Sequence, residues 1–385
     1  SKVYRILTPP LFLLVGSFYY IITPPIFFFN DYFGLEFLKG VASKYTDSAA
    51  SDIYLRTTLD FLLINISFLL GFYIASKIKF NSKFLNRFSD FNLLPKFIFM
   101  GFVLVLFTIL VNAYQIGFVF FSGYSSYEIS ILGPLATLCF MCMWFFIYFR
   151  ANYFLVLFLV SSALLLGAGS RMFFILPALS FVIYRVFENP LVVRKYLLVF
   201  CFFIFSMLGV GLWREGQAIS VDGLLTILFA EPIFTSFGNF YYFSDGFPAL
   251  GRPDDVIAAI INFIPSSIYP GKQEVINQIT YDSRINNPLG AQSVVINLYK
   301  NFGVFYPLFL FSFGVYFGIL FKLRWNRFFY SIYIMSLPVI LLHFQREGFI
   351  TVFKILFFNG FLLPLIIVCA LAFLLFKNKA ALVSN

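Results

Sequence analysis

Four arginines stand in short polar breaks between long apolar runs. They are Arg171 in Gly-Ser-Arg-Met, Arg214 in Trp-Arg-Glu-Gly, Arg284 in Ser-Arg-Ile-Asn-Asn-Pro and Arg346 in Gln-Arg-Glu-Gly. A guanidinium is a planar fork of donors that matches phosphate oxygens two at a time. Four of them at the ends of apolar segments point to an anion held at a membrane surface, such as a lipid-linked phosphate or pyrophosphate. Arg171 follows a Gly-Ala-Gly-Ser lead-in. The glycines permit close approach, and a helix start there offers N–H groups to the same anion. The alternative for Arg171 is an anchor that snorkels to the interface. Arg346 shares its break with His343, Gln345 and Glu347, and a polar cluster at a membrane edge reads as functional by default. Arg214, beside Glu215, and Arg284 are anion ligands or interfacial anchors alike. Arg252, in Gly-Arg-Pro-Asp-Asp, is neutralised by its neighbours.

Proton-transfer groups are few. Glu231, in Ala-Glu-Pro-Ile-Phe, is a carboxylate in an apolar stretch, suited to a general base or acid, or else a helix cap or an arginine partner. His343 is the single histidine of the chain. Glu231, His343 and Glu347 therefore remain open as the base. One histidine and scattered carboxylates do not make a metal-ligand set, so metal-independent chemistry without a cofactor is expected. Cys139 and Cys142 form a CxxC inside an apolar run. With Cys201 and Cys369 they read as packing residues, with no disulfide framework.

The elements that must position these residues are membrane spans. The 385 residues are 61% hydrophobic and 11% charged, with mean hydropathy +0.90, whereas a soluble domain carries roughly 25% charged residues. Runs of sufficient length are 9–29, 59–76, 97–116, 131–149, 153–167, 172–186, 196–212, 303–321, 328–342 and 355–376, about ten spans. The first run is too long for a signal peptide and no small-residue cleavage site follows it. An all-α polytopic membrane protein is expected, with three regions. Residues 1–213 carry N-terminal spans, 214–302 form a large outer loop, and 303–385 carry C-terminal spans. The loop is apolar in 224–230, 234–243 and 256–264 and is cut by prolines, which predicts short amphipathic helices at the interface or folded back over the bundle.

Charge sets the orientation. With the N-terminus in the cytoplasm, inner segments hold 16 of the 27 Lys and Arg residues against two acids, Asp90 and Glu188. Outer segments hold the remaining 11 basic residues with 15 acids. The net charge of +10 thus reflects topology. The cations are spread over many loops and leave no nucleic-acid footprint.

At three places the chain resembles the bacterial O-antigen polymerases of the Wzy type. One is Gly169-Ser-Arg171-Met at a span start. The second is the run from Gly290 through Tyr299 and Asn301-Phe302-Gly303 into a late span. The third is Gln345-Arg346-Glu347-Gly348-Phe349 in the next outer break. Hydropathy, length and the large outer loop fit over nearly the whole chain, although Leu-Gly-Ala-Gln-Ser stands where the family often has a glycine-serine run. The resemblance implies a GT-C-like fold in the bacterial inner membrane, both termini cytoplasmic, and glycosyl transfer on the periplasmic face. The donor would be a glycan on undecaprenyl pyrophosphate, and the acceptor a lipid-linked repeat unit. Arg171 and Arg346 would clamp the pyrophosphate, with Arg214 and Arg284 as weaker ligands for the second lipid. Tyr299 and Asn301 would belong to the acceptor loop. The pathway also implies a chain-length regulator as partner. An O-antigen ligase is the nearest alternative, but ligases use a histidine in the large outer loop, and 214–302 has none. A flippase is the other, but it needs charges through the depth of the spans.

Overall fold

The computed structural model describes residues 7–24, 48–78, 94–121, 129–168, 170–189, 221–264, 268–285 and 291–370, with isolated positions at 195, 196, 198, 201, 205 and 373. Every regular element among the described residues is a helix. In chain order these are α1 (Pro9–Ile22), α2 (Ser48–Ser76), α3 (Leu94–Gln115), α4 (Ile129–Phe149), α5 (Asn152–Gly167) and α6 (Met172–Glu188). There follow α7 (Val221–Tyr242), α8 (Asp254–Phe263), α9 (Lys272–Thr280), α10 (Val294–Phe302), α11 (Tyr306–Leu323), α12 (Arg327–Arg346) and α13 (Phe349–Ala370). Six helical stretches are long and apolar enough to cross a membrane: Asp52–Ser76, Leu94–Gln115, Ile131–Phe149, Val294–Leu323, Arg327–Arg346 and Phe349–Ala370. The chain is a multi-pass α-helical membrane protein. Leu62, Leu69, Phe97, Leu104 and Phe107 stand exposed on α2 and α3, as lipid-facing side chains do. The expected run 196–212 lies almost wholly outside the described residues.

Three boundaries differ from the sequence reading. Helix α2 starts at Ser48, before the expected run, and so takes in Arg56 as well as Asp60; both charges meet phenol groups described below. The span expected from Gly303 is preceded by α10, so helix runs on from Val294 with a 3-10 turn at Gly303–Phe305. The break after α12 shrinks to Glu347 and Gly348.

The chain forms two compact units from alternating stretches. One comprises Ser1–Ile78, Leu198–Lys322 and Val339–Lys354; the other comprises Lys79–Leu197, Leu323–Pro338 and Ile355–Asn385. In the first unit, α2 and α11 pack backbone to backbone. A Cβ at Gly71 would overlap the Phe311 carbonyl, and one at Gly314 would overlap the Phe68 carbonyl. Small residues let helices approach in lipid, where no hydrophobic force drives them together. Phe68 fills the flank against Phe313 and Phe317, at 5.9 and 5.7 Å between ring centroids. Helix α1 is tied to α2 by Asn65 Nδ2, which donates to Ser17 Oγ at 2.9 Å.

The second unit centres on α4. Its Trp144 is fully buried, donates Nε1–H to the Gly360 carbonyl at 3.0 Å and packs its ring on Phe328. Only Arg150 and Ala151 separate α4 from α5, and Arg150 adopts φ +59 to make the turn. Arg150 then pairs with Glu188 at the end of α6, at 3.0 Å. Cys139 lies buried, its thiol on Ser161 Oγ at 3.2 Å. At the other end of these helices Phe121 N donates to the Gly167 carbonyl at 2.7 Å, and the Phe121 ring takes the space beside Gly167. The close approach expected of that glycine is made by a protein ring.

Candidate functional site

Arg346 ends α12, and the path of the chain there is shaped by one proline. Pro338 lies inside the helix and is followed by a wider π-helical turn, Val339–His343, the usual accommodation of a missing backbone donor. After Arg346 the chain turns extended at Glu347, and α13 starts from Gly348. The backbone of this break is held by the segment entering α10. Gln292 N donates to the Arg346 carbonyl at 2.7 Å, and Asn297 Nδ2 donates to the Glu347 carbonyl at 2.9 Å.

Glu231 is brought to Arg346 by α7. Pro232, the next residue, sits inside that helix and cannot donate to the carbonyl four residues back, that of Leu228. Tyr19 of α1 supplies the absent donor through its O–H. Its neighbour Tyr20 donates to Glu231 Oε1 at 2.6 Å, and Arg346 Nη1 meets the same oxygen at 2.7 Å. Arg346 Nε lies 3.3 Å from Glu347 Oε1. The guanidinium is therefore flanked by two carboxylates, and counting charges leaves the cluster one unit negative. Glu231 is the most open of the three, with a third of its side chain exposed. Burial raises the Glu347 carboxyl above its ordinary range; Arg346 opposes that and Glu231 adds to it.

The other expected site residues divide. His343 is fully enclosed, one turn before Glu347, whose N–H it accepts at its carbonyl. Enclosure takes its ring out of reach of a ligand in this conformation. Arg284 is engaged by Asp282 at 2.7 Å and lies over the Tyr242 ring. Arg171 sits half-buried at the start of α6, in the second unit. Arg214 lies outside the described residues. Asn301 is buried, accepting from Asp255 N at the start of α8 and donating to Asp255 Oδ2 at 2.9 Å. Tyr299 is buried as well, donating to Asp60 Oδ1 at 3.1 Å. Gly303, at φ +56, admits the Ala249 carbonyl where a Cβ would stand. The Tyr-Lys-Asn-Phe-Gly segment, Tyr299 to Gly303, is thus engaged in the packing of the first unit. Ser293, left without a role by the sequence, caps α10 by accepting from Val295 N.

Sequence reasoning missed Tyr19, Tyr20, Arg56 and Asp60. The signal for Asp60 was present, since a lone acid within an apolar run is costly and needs a reason. Tyr19 and Tyr20 carried no such signal in a chain with 23 tyrosines. Around the break, Gln292 Nε2, Asn297 Oδ1 and Gln345 Oε1 are buried polar atoms without a hydrogen-bond partner. Such atoms are uncommon in a folded protein. Among the described residues no three His, Cys, Asp or Glu side chains gather as metal ligands. Comparison with family models, curated proteins and solved structures finds no match to the chain.

Proposed function

We propose that this protein is a glycosyltransferase of the O-antigen polymerase type. It acts on the periplasmic face of a bacterial inner membrane, with both ends of the chain on the cytoplasmic side and a chain-length regulator as partner. The observation that carries the reading is the Tyr20–Glu231–Arg346–Glu347 cluster, drawn from α1, α7 and the break after α12. The charge pattern expects Glu231 and the Arg346–Glu347 break on the outer side of the membrane, and Tyr20 reaches them from within the first apolar helix.

The chemistry runs as follows. The acceptor sugar hydroxyl attacks the anomeric carbon of the glycan on undecaprenyl pyrophosphate. The new glycosidic C–O bond forms as the bond to pyrophosphate breaks, and the pyrophosphate leaves with the electron pair. Glu231, a third exposed and oriented by Tyr20 and Arg346, takes the hydroxyl proton. Protonation neutralises Glu231 and loosens its hold on Arg346 Nη1. That donor is then free to meet the charge developing on the leaving group, where preorganised donors are worth most. Base and anion ligand are coupled through one shared ion pair. Arg171 enters on its sequence setting, as a guanidinium at a helix start.

Deletion of the gene in its host, read on a lipopolysaccharide gel with lipid analysis, tests the proposal. Core capped by a single repeat unit is the expected result. Bare core with long glycan still on its lipid would mean a ligase, and bare core with single units trapped on the cytoplasmic face a flippase. An unchanged ladder would remove the O-antigen reading. Arg171→Ala and Arg346→Ala are each expected to abolish polymerisation in protein that still inserts.

A further inference from the structure

Four cations assigned to the outer side are engaged by a carboxylate: Arg346 by Glu231 and Glu347, Arg284 by Asp282, Arg252 by Asp254 and Lys300 by Asp255. Arg56 on α2 is held differently. Its Nε and Nη2 both lie 3.3 Å from the Tyr299 hydroxyl, and its Cζ lies 5.2 Å from the centre of the Phe247 ring. The acid behind it, Asp60, is 1% exposed and takes the O–H groups of Tyr299 and Tyr306 on a single oxygen, at 3.1 and 2.6 Å. Arg56 itself is exposed. Of five guanidinium N–H donors, two are committed to the Tyr299 oxygen and no described carboxylate claims the rest.

The surroundings fix this guanidinium in place. Gly303 admits the Ala249 carbonyl, Val304 N donates to that carbonyl at 3.1 Å, and Arg252 N donates to the Lys300 carbonyl at 2.8 Å. These contacts staple the 246–252 loop to α10. Phe247 is thereby stacked on Phe243 at 4.1 Å and set edge-on to Tyr299 at 5.1 Å. With the guanidinium over an aromatic ring and its Nε and Nη2 on one phenol oxygen, its remaining N–H donors are left for another ligand.

A second observation gives the ligand its other half. Leu59, Leu63, Ile66 and Leu70 follow Arg56 at steps of three and four residues, so they share its face of α2. Each is about half exposed, at 50%, 45%, 52% and 51%. A cation at the start of a membrane span with an unbroken apolar stripe below it matches a phosphate attached to a long hydrocarbon chain.

We infer that Arg56, backed by Tyr299, Asp60 and Phe247, is a binding site for the phosphate of a polyprenyl-linked substrate, whose chain lies along Leu59, Leu63, Ile66 and Leu70. The inference rests on the transferase reading, which requires two lipid-linked substrates, and assigns the second to this site. The test is capture of undecaprenyl phosphate by the full chain in nanodiscs, titrated and read by native mass spectrometry. Arg56→Ala is expected to weaken capture tenfold or more, Arg56→Lys less, and Tyr299→Phe a fewfold, while Arg252→Ala leaves it unchanged. Melting temperatures of the same preparations identify any variant that has not folded. Leu63→Asn, which keeps the fork and spoils the stripe, is expected to weaken capture too. Equal capture by wild type and folded Arg56→Ala would overturn the inference. So would displacement of the lipid by equimolar phosphatidylglycerol or inorganic phosphate. The readout needs no turnover. Arg56-dependent capture in a protein without polymerase activity would sink the transferase and keep the site, whereas full polymerisation by Arg56→Ala would do the reverse.

Discussion

Glu231→Gln separates a base from a structural partner of Arg346. The amide oxygen can still accept from Tyr20 and Arg346, which meet Glu231 Oε1 at 2.6 and 2.7 Å, so the local fold is kept. Arg346 retains Glu347 at 3.3 Å. Because Glu231 is a third exposed, the expected stability loss is only about 1 kcal/mol. The catalytic loss is far larger, roughly 10²- to 10⁴-fold in turnover, the usual worth of a positioned general base. Affinity moves the other way, because the substitution takes the cluster from one negative charge to neutral. Two unit charges about 5 Å apart interact by about 3 kcal/mol at an effective dielectric of 20. Screening at this partly open site reduces that to about 1 kcal/mol, a fivefold tightening toward a lipid pyrophosphate. The assay is polymerisation of purified lipid-linked repeat units in nanodiscs, with product length read by mass spectrometry and lipid affinity titrated separately. Slower turnover with tighter lipid binding is the expected pair. Turnover within tenfold of wild type would refute Glu231 as base. Turnover and affinity falling together would show that it serves only to hold Arg346.

Other outcomes follow from the same geometry. Arg346→Ala leaves Glu231 and Glu347 without their cation and should cost about 3 kcal/mol, part of it recovered in the Glu231→Gln double variant, as read by thermal unfolding. Tyr19→Phe strips the donor from the Leu228 carbonyl freed by Pro232, and should lower stability by about 1–2 kcal/mol in the same assay. Gly303→Ala meets both the positive φ and the Ala249 carbonyl, so a loss of about 2 kcal/mol or more is expected. The Glu347 carboxyl is raised by burial. Its contribution to stability is full below the ordinary value of 4.5 and is lost as pH rises through the raised one. The melting temperature should fall across that interval, and Glu347→Gln should flatten the fall.

Hydropathy and charge by themselves determined the class, because a span needs a long apolar run and nothing else about its neighbours. They also placed Arg346, Glu347 and His343 in one break, since those residues are adjacent in the chain. They did not reveal that Glu231, 115 positions upstream of Arg346, closes an ion pair with it. Beside it, Pro232 leaves the Leu228 carbonyl to Tyr19, and the adjacent Tyr20 meets Glu231. Arg56 and Asp60 escaped notice for the same reason. Arg56 reads as part of a polar segment before a span, and Asp60 as a lone acid just inside it, until Tyr299 and Tyr306, more than 230 positions away, take up their charge. Apolar pattern is local and additive, so a sequence displays it. The value of a charge depends on which donors surround it, and only the tertiary structure chose those.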